Sequence, residues 1–216
     1  MSRRPRKQAE HEDAEETQRT ILRVARQLFM EYGYRTVTTR QLADACGLTQ
    51  PALYHYFADK QTLYLAVVKE EIAKNKAALE RIARRNEAVP ERLRRLALYL
   101  LTTTQYDVGL MLHDIRYELS LEARTTLDEL FQAGFIVPIA SIFEDGIRQG
   151  NLLDPQRGGV DPITAAYLFM NMVSRFVTQQ RENLPSRAGR QTTTEGSADL
   201  IVRVLLYGLT GPSLNT

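Results

Sequence analysis

Between Glu15 and Tyr32 the apolar residues Ile21, Leu22, Val24, Ala25, Leu28 and Phe29 recur every three or four positions, one face of an amphipathic helix. Gly33 is placed to end it as the C′ residue. The next apolar positions lie closer together: Leu42 and Ala43, then Leu48 and Leu53, with Gly47 between them where a turn needs a positive φ. This pattern predicts two short helices joined by a tight turn. Thr38 precedes the first, with Gln41 three residues on in the capping-box position. Thr49 precedes the second, and Pro51 falls in its first turn, where a missing N–H costs little. Tyr54, His55, Tyr56 and Phe57 crowd its end, and Asp59 is the expected cap of a long helix from Lys60 to about Asn86.

Further on, Pro90 opens a fifth helix carrying Leu93, Leu96, Ala97, Leu100 and Leu101, and a shorter one is expected over residues 107–120. Residues 122–147 read as a long amphipathic helix that Gly134 and Pro138 should kink. Residues 150–162, with two prolines and three glycines, read as a surface loop. Asp161 and Pro162 then open a helix to about Glu182 that is apolar around much of its circumference, a mark of burial on more than one side. The stretch 184–196 is polar and expected to be mobile, and 197–209 forms a last helix with Leu200, Ile201, Val204, Leu205 and Leu206. No strand pattern survives, so the fold class is all-α, with roughly nine helices. At the other end, residues 1–14 lack periodicity: Arg3, Arg4, Arg6 and Lys7 precede an acidic run. They read as a flexible arm, either solvated or touching a minor groove or phosphate.

Composition changes this picture little. The chain has 216 residues, 44% of them hydrophobic, ample for a buried core. A net charge of +2 neither demands nor excludes nucleic acid, so the distribution of charge must decide. The single cysteine, Cys46, rules out an intrachain disulfide and a cysteine-based metal cluster, and is expected to act as a small buried hydrophobe. A soluble, cytoplasmic protein is expected, because the basic N-terminus is followed by no apolar run and no segment approaches about 18 consecutive apolar residues. His11, His55 and His113 form no i, i+4 pair, and Gly158–Gly159 lacks the strand and Lys–Ser/Thr of a phosphate loop. Neither a metal nor a cofactor is expected. No nucleophile or acid–base constellation argues for an enzyme.

The stretch from Thr38 to Lys60 carries the chemistry. In a helix-turn-helix the second helix enters the major groove with its N-terminal residues against base edges. Here those are Thr49, Gln50, Pro51 and Ala52. Gln50 can read adenine bidentately, Thr49 can bond a base or phosphate, and Ala52 can meet a thymine methyl. Tyr54 offers its phenol to phosphate. Thr38, Thr39 and Arg40 begin the backbone-crossing helix with hydroxyls, free N–H groups and a guanidinium, and Lys60 adds a positive charge to the same surface. Tyr56 is expected mainly to fill the small core. His55 reads as a surface or packing residue, with a phosphate contact as the alternative.

Residues 19–68 resemble the DNA-binding region of the TetR family of transcriptional regulators. The likeness rests on ILRVARQLFMEYGY, on TVTTRQLADACGLTQPALYHYFADK and on the LYLAVV opening of the long helix. It implies an all-helical homodimer in which a three-helix DNA-binding domain, residues 15–60, is joined by a long helix to a ligand-binding and dimerisation domain, residues 61–216. It further implies that the last two helices make a four-helix dimer interface, and that a C-terminal cavity changes the spacing of the two heads when occupied. By position, the family's DNA contacts fall on Thr38, Thr39, Arg40, Thr49, Gln50, Pro51, Ala52, Tyr54, His55, Tyr56 and Lys60.

The sensor half carries no such motif. Aromatic and sulfur-bearing residues nominate Tyr99, Tyr106, His113, Tyr117, Phe131, Phe135, Tyr167, Met170 and Phe176 as effector contacts, against the plain reading of them as core. The apolar surface of 163–177 and 200–209 exceeds what one neighbouring face can cover, which supports a two-fold dimer independently of the resemblance. The expected function is therefore a ligand-responsive regulator, a repressor that binds a palindromic operator in double-stranded DNA and is released by a small, mainly apolar effector. The alternatives are a helical DNA-binding adaptor or nucleoid protein without a ligand, and an activator of the same family.

Overall fold

A computed structural model describes residues 6–104, 108–181 and 193–208, and every regular element among them is helical. In chain order these are α1 (Arg6–Thr36), α2 (Thr39–Ala45), α3 (Gln50–Tyr56), α4 (Lys60–Ala83), α5 (Val89–Thr103), α6 (Val108–Glu118), α7 (Leu121–Arg148), α8 (Pro162–Arg181) and α9 (Thr194–Tyr207). The helices pack as two compact units, one of Met1–Glu71 with Leu110–Leu127, the other of Ile72–Gly109 with Asp128–Thr216. Both α4 and α7 thus contribute a substantial length to each.

Local chemistry sets most boundaries. Thr62 donates its N–H to Asp59 Oδ1 at 2.6 Å and Thr164 donates to Asp161 Oδ1 at 3.0 Å, so both expected aspartate caps form. Pro90 lies in the first turn of α5. Gly33 takes φ 78° and ψ 161°, interrupting the helical path shortly before the end of α1. The segment expected as an arm is instead helical from Arg6. Its Arg, Lys, Gln, Ala and Glu residues are good helix formers with no apolar period, so propensity extends the helix where periodicity gives no sign of it. Residues 1–5, which include Arg3 and Arg4, lie outside the described residues, as do 182–192 of the polar stretch before α9.

The first unit is built around Ile21, Ala25, Phe29, Leu42, Leu53, Leu63, Tyr64, Val67 and Val68, all buried. Phe29 and Tyr34 each pack a ring against Tyr64, with centroids 5.1 and 5.0 Å away. Arg26 Nε meets the buried Glu71 carboxylate at 2.6 Å, tying α1 to α4. The start of α7 is tied to α4 by a reciprocal pair: Gln61 Nε2 donates to Ser120 Oγ at 3.2 Å, and Ser120 N–H donates to Gln61 Oε1 at 3.0 Å.

The second unit packs α5, the later part of α7, α8 and α9 through Leu93, Leu96, Leu100, Ile139, Ile142, Phe169, Val173, Ala198 and Ile201. Arg92 is buried among them because its guanidinium caps a helix end: Nη1 donates to Ala83 O at 2.8 Å and to Asp145 Oδ2 at 2.7 Å. By length and composition alone α7 can span a bilayer, but half of its apolar window is buried in the protein. The kink expected at Gly134 and Pro138 takes the form of a π-helical turn over Gln132–Ile136, in which Val137 N–H reaches back to Gln132 O. This turn comes close to α4: a Cβ on Gly134 would stand 2.5 Å from Ile72 Cγ2. Ile72 is β-branched and stiff, so it cannot swing aside cheaply. Gly134→Ala is therefore expected to destabilise the chain by about 1–3 kcal/mol in urea unfolding, and the same change should cost less when made in an Ile72→Ala background.

Candidate nucleic-acid interface

The two short helices are held by their caps. Gln41 N–H donates to Thr38 Oγ1 at 3.2 Å, while Thr38 N–H donates to Gln41 Oε1 at 2.8 Å, the complete capping box. Gly47 turns the chain at φ 68°, and the space around it is open, so the backbone conformation is what calls for glycine. Thr49 Oγ1 accepts from Ala52 N–H at 3.3 Å at the start of α3. Leu42, Ala43 and Leu53 face inward and are buried. What remains outward is a polar face.

On that face Thr38, Arg40, Thr49, Gln50, Pro51, Tyr54 and His55 are exposed, while Thr39, Ala52, Tyr56 and Lys60 are partly buried. Thr39 joins the two helices: its Oγ1 accepts from Gln50 Nε2 at 3.1 Å and from Tyr54 Oη at 3.3 Å. Arg40 lies 3.9 Å from Asp44, a loose and well-exposed pair that contributes little. The His55 ring stands edge-on to Tyr56, with centroids 5.7 Å apart. Cys46 is only half-buried, and that burial pushes its thiol pKa up, away from the reactive thiolate.

Lys60, expected on the outward face, is partly buried and bonded to the loop before α2. Its Nζ donates to Tyr34 O at 2.7 Å and Val37 O at 2.9 Å, and lies 4.1 Å from the centre of the Tyr34 ring. The reason is local: past the break at Gly33 the backbone carbonyls lack helical partners, and a cation satisfies them. Burial lowers the Lys60 pKa, with Glu118 and Asp114 opposing the shift. Asp114 completes the arrangement from α6. Its buried carboxylate accepts Tyr34 N–H at 2.6 Å, and burial raises its pKa despite that hydrogen bond and the nearby Lys60. Asp114 draws attention in the sequence only by standing beside His113. Its partner is 80 residues away, and no local signal announces it.

The nominated effector contacts are divided between the units. His113 and Tyr117 are exposed on α6 in the first unit, their rings 4.8 Å apart. The second unit holds Tyr99, Phe131, Met170 and Phe176 partly buried, Phe135 buried and Tyr167 exposed. Phe131 and Phe135 stack at 5.1 Å across the π turn, and Gln132 Nε2 donates to Tyr167 Oη at 2.7 Å. Tyr106 lies outside the described residues. A cavity of about 360 Å³ in this unit is lined by none of the nine, but by Phe143, Leu152, Leu153, Val160, Leu168 and Leu205 among others. Among the described residues no group of three or more His, Cys, Asp or Glu is arranged to hold a metal.

Residues 21–67 match the family model of the bacterial regulatory proteins, tetR family. The chain is 27% identical over 189 residues to the HTH-type transcriptional repressor AcnR of Corynebacterium glutamicum, covering 84% of this chain and 86% of that one. Among solved structures, the TetR family transcriptional regulator PfmR of Thermus thermophilus superposes with a TM-score of 0.67 at 28% identity, covering 88% and 99% of the two chains. The regulator FadR of Bacillus subtilis, solved in complex with stearoyl-CoA, shares the fold with a TM-score of 0.70 at 17% identity, covering 88% and 98%.

Two substitutions test the seating of the Tyr34–Val37 loop. Lys60→Met keeps the stem and removes the donors, and should cost about 1–3 kcal/mol in thermal or urea unfolding of the free chain. Asp114→Asn keeps an acceptor for Tyr34 N–H and removes the titration. Because burial raises the folded-state pKa of Asp114, the folded chain holds that proton more tightly than the unfolded chain. Its contribution to stability is thus fully present in acid and is lost as pH rises through the folded pKa. The parent should therefore lose stability relative to Asp114→Asn as pH rises from the ordinary carboxylate range toward neutrality, measured as the difference in unfolding midpoint.

Proposed function

We propose that the chain is a member of the TetR family of bacterial transcriptional regulators and, within it, a ligand-responsive repressor. It binds a palindromic operator as a homodimer and leaves it when a small, mainly apolar effector binds. The observation that carries this reading is the outward polar face in which Thr39 gathers Gln50 and Tyr54 across the turn. Residues 15–60 serve as the DNA-binding domain and 61–216 as the domain for effector and partner. On DNA, Thr38, Thr39 and Arg40 face phosphate with the N–H groups that open α2. Gln50 reads a base edge, flanked by Thr49, Pro51 and Ala52, while Tyr54, His55 and Tyr56 lie toward the backbone. Lys60 contributes by holding the loop before α2 rather than by clamping phosphate.

The second copy packs on the last two helices. In support, Ile163 and Leu168 of α8 and Tyr207 of α9 are exposed large apolar residues. The cavity that Leu168 and Leu205 line gives that face a groove. The effector sits among Tyr99, Phe131, Phe135, Tyr167, Met170 and Phe176, a reading supported by the stacked Phe131 and Phe135 rings and the Gln132–Tyr167 hydrogen bond. FadR of Bacillus subtilis, which has this fold, is solved with stearoyl-CoA. That precedent supports an effector with a long apolar part. The repressor sense follows the naming of AcnR. Such a protein works in the cytoplasm, where the operator is.

Gln50→Ala should weaken binding to a duplex selected from a random pool by about 1–3 kcal/mol and relax preference at one base pair in each half-site. Sedimentation of the free chain should give a dimer, and titration with fatty acids and their thioesters should release the selected duplex. A monomer that holds DNA equally under every ligand would point to the adaptor instead.

A further inference from the structure

We propose that Thr39 is a positioning residue which fixes the flip of the Gln50 side-chain amide, and thereby the base that α3 reads. The inference rests on the DNA-reading assignment above. Its basis is the convergence of two donors on one hydroxyl: Gln50 Nε2 at 3.1 Å and Tyr54 Oη at 3.3 Å both donate to Thr39 Oγ1. Thr39 is the first residue of α2, and the capping box immediately before it holds its backbone in place. The acceptor is therefore fixed, while Gln50 is long and exposed.

An amide reads adenine by accepting from N6 with its carbonyl and donating one N–H to N7. It carries two N–H bonds, so one can go to adenine while the other goes to Thr39. A terminal amide torsion is broad and two-fold, so an unrestrained glutamine can exchange its oxygen and nitrogen at little cost. Flipped, it can donate to guanine O6 or thymine O4, or accept from cytosine N4. A threonine hydroxyl by itself does not choose between the two flips, because it can donate or accept. Phosphate makes the choice. It is acceptor-only, and when the Thr39 proton goes to a backbone phosphate at the start of α2, the hydroxyl has only lone pairs left for its neighbours. Tyr54 takes one by donating its O–H. The other then requires the amide nitrogen of Gln50, so the adenine-reading edge points outward. The phosphate contact and the base contact are in this way one hydrogen-bonded chain.

The test uses the full-length chain and a duplex selected by it from a random pool, with each of the four base pairs placed in turn at the position Gln50 reads. Thr39→Val, of the same shape without the hydroxyl, should lose about tenfold in preference for adenine by fluorescence anisotropy. Thr39→Ser should restore it, and far-UV circular dichroism should be the same for all variants. In a Gln50→Ala background Thr39→Val should shift all four affinities equally. A Thr39→Val chain that weakens all four equally while Gln50 is present overturns the proposal, leaving Thr39 as a phosphate contact alone. A Gln50→Ala chain that keeps the parent's preference at every position overturns the reading face itself, which is a separate result.

Discussion

The proposed reading head depends on how the loop between α1 and α2 is satisfied. Gly33 leaves the helical path, and the residues after it expose N–H and C=O groups inside a packed unit. Lys60 takes the carbonyls of Tyr34 and Val37, and Asp114 takes the N–H of Tyr34. Burial disfavours the charged form of each side chain, and each lessens that penalty on the other. The ring of Tyr34, packed against Phe29 and Tyr64, lies under the ammonium. Thr38 follows Val37 directly, so the ammonium that holds Val37 also sets where α2 begins. The capping box and the Thr39 hydroxyl inherit that position.

This dependence explains which parts of the head could be read from the chain. The caps at Thr38, Thr49, Asp59 and Asp161 are local signals, complete within four residues, and all four form. The amphipathic faces are legible for the same reason, since period and burial coincide along Ile21, Ala25 and Phe29. The contacts that seat the loop are not local. Lys60 and Asp114 reach it from α4 and α6, and a lysine at the start of a helix next to a DNA-reading turn looks like a phosphate contact until its partners are known. The Thr39 junction is equally silent, because hydrogen bonds among exposed polar side chains leave no periodicity.

Elsewhere the sequence shows that something happens without showing what. Gly134 and Pro138 announce an interruption in α7. A π turn provides it by adding a residue between Gln132 and Val137, and that places the glycine against Ile72 of α4. Only the partner helix reveals why the residue has no side chain. In the N-terminal segment the opposite holds: helix formers without an apolar face look featureless to a reading based on period, yet they continue α1.

The charge on the described head bears on how such a protein uses DNA. Lys60 is committed to the loop, so Arg40, only loosely paired with Asp44, is the cation that α2 and α3 themselves bring to their outward face. Sequence-independent attraction grows with the number of phosphates neutralised, and α2 and α3 offer it one guanidinium. Hydroxyls, helix-terminal N–H groups and the Gln50 amide act only at hydrogen-bonding range. On the proposed reading, a head made this way relies on hydrogen bonds more than on charge, so its hold on DNA gains much from being paired. Linking two heads makes the second contact intramolecular and multiplies the affinity, provided that both half-sites are reached together. For such a protein release does not require the reading face to be damaged. A change in spacing between heads removes the linked contact, and what is left is the grip of one.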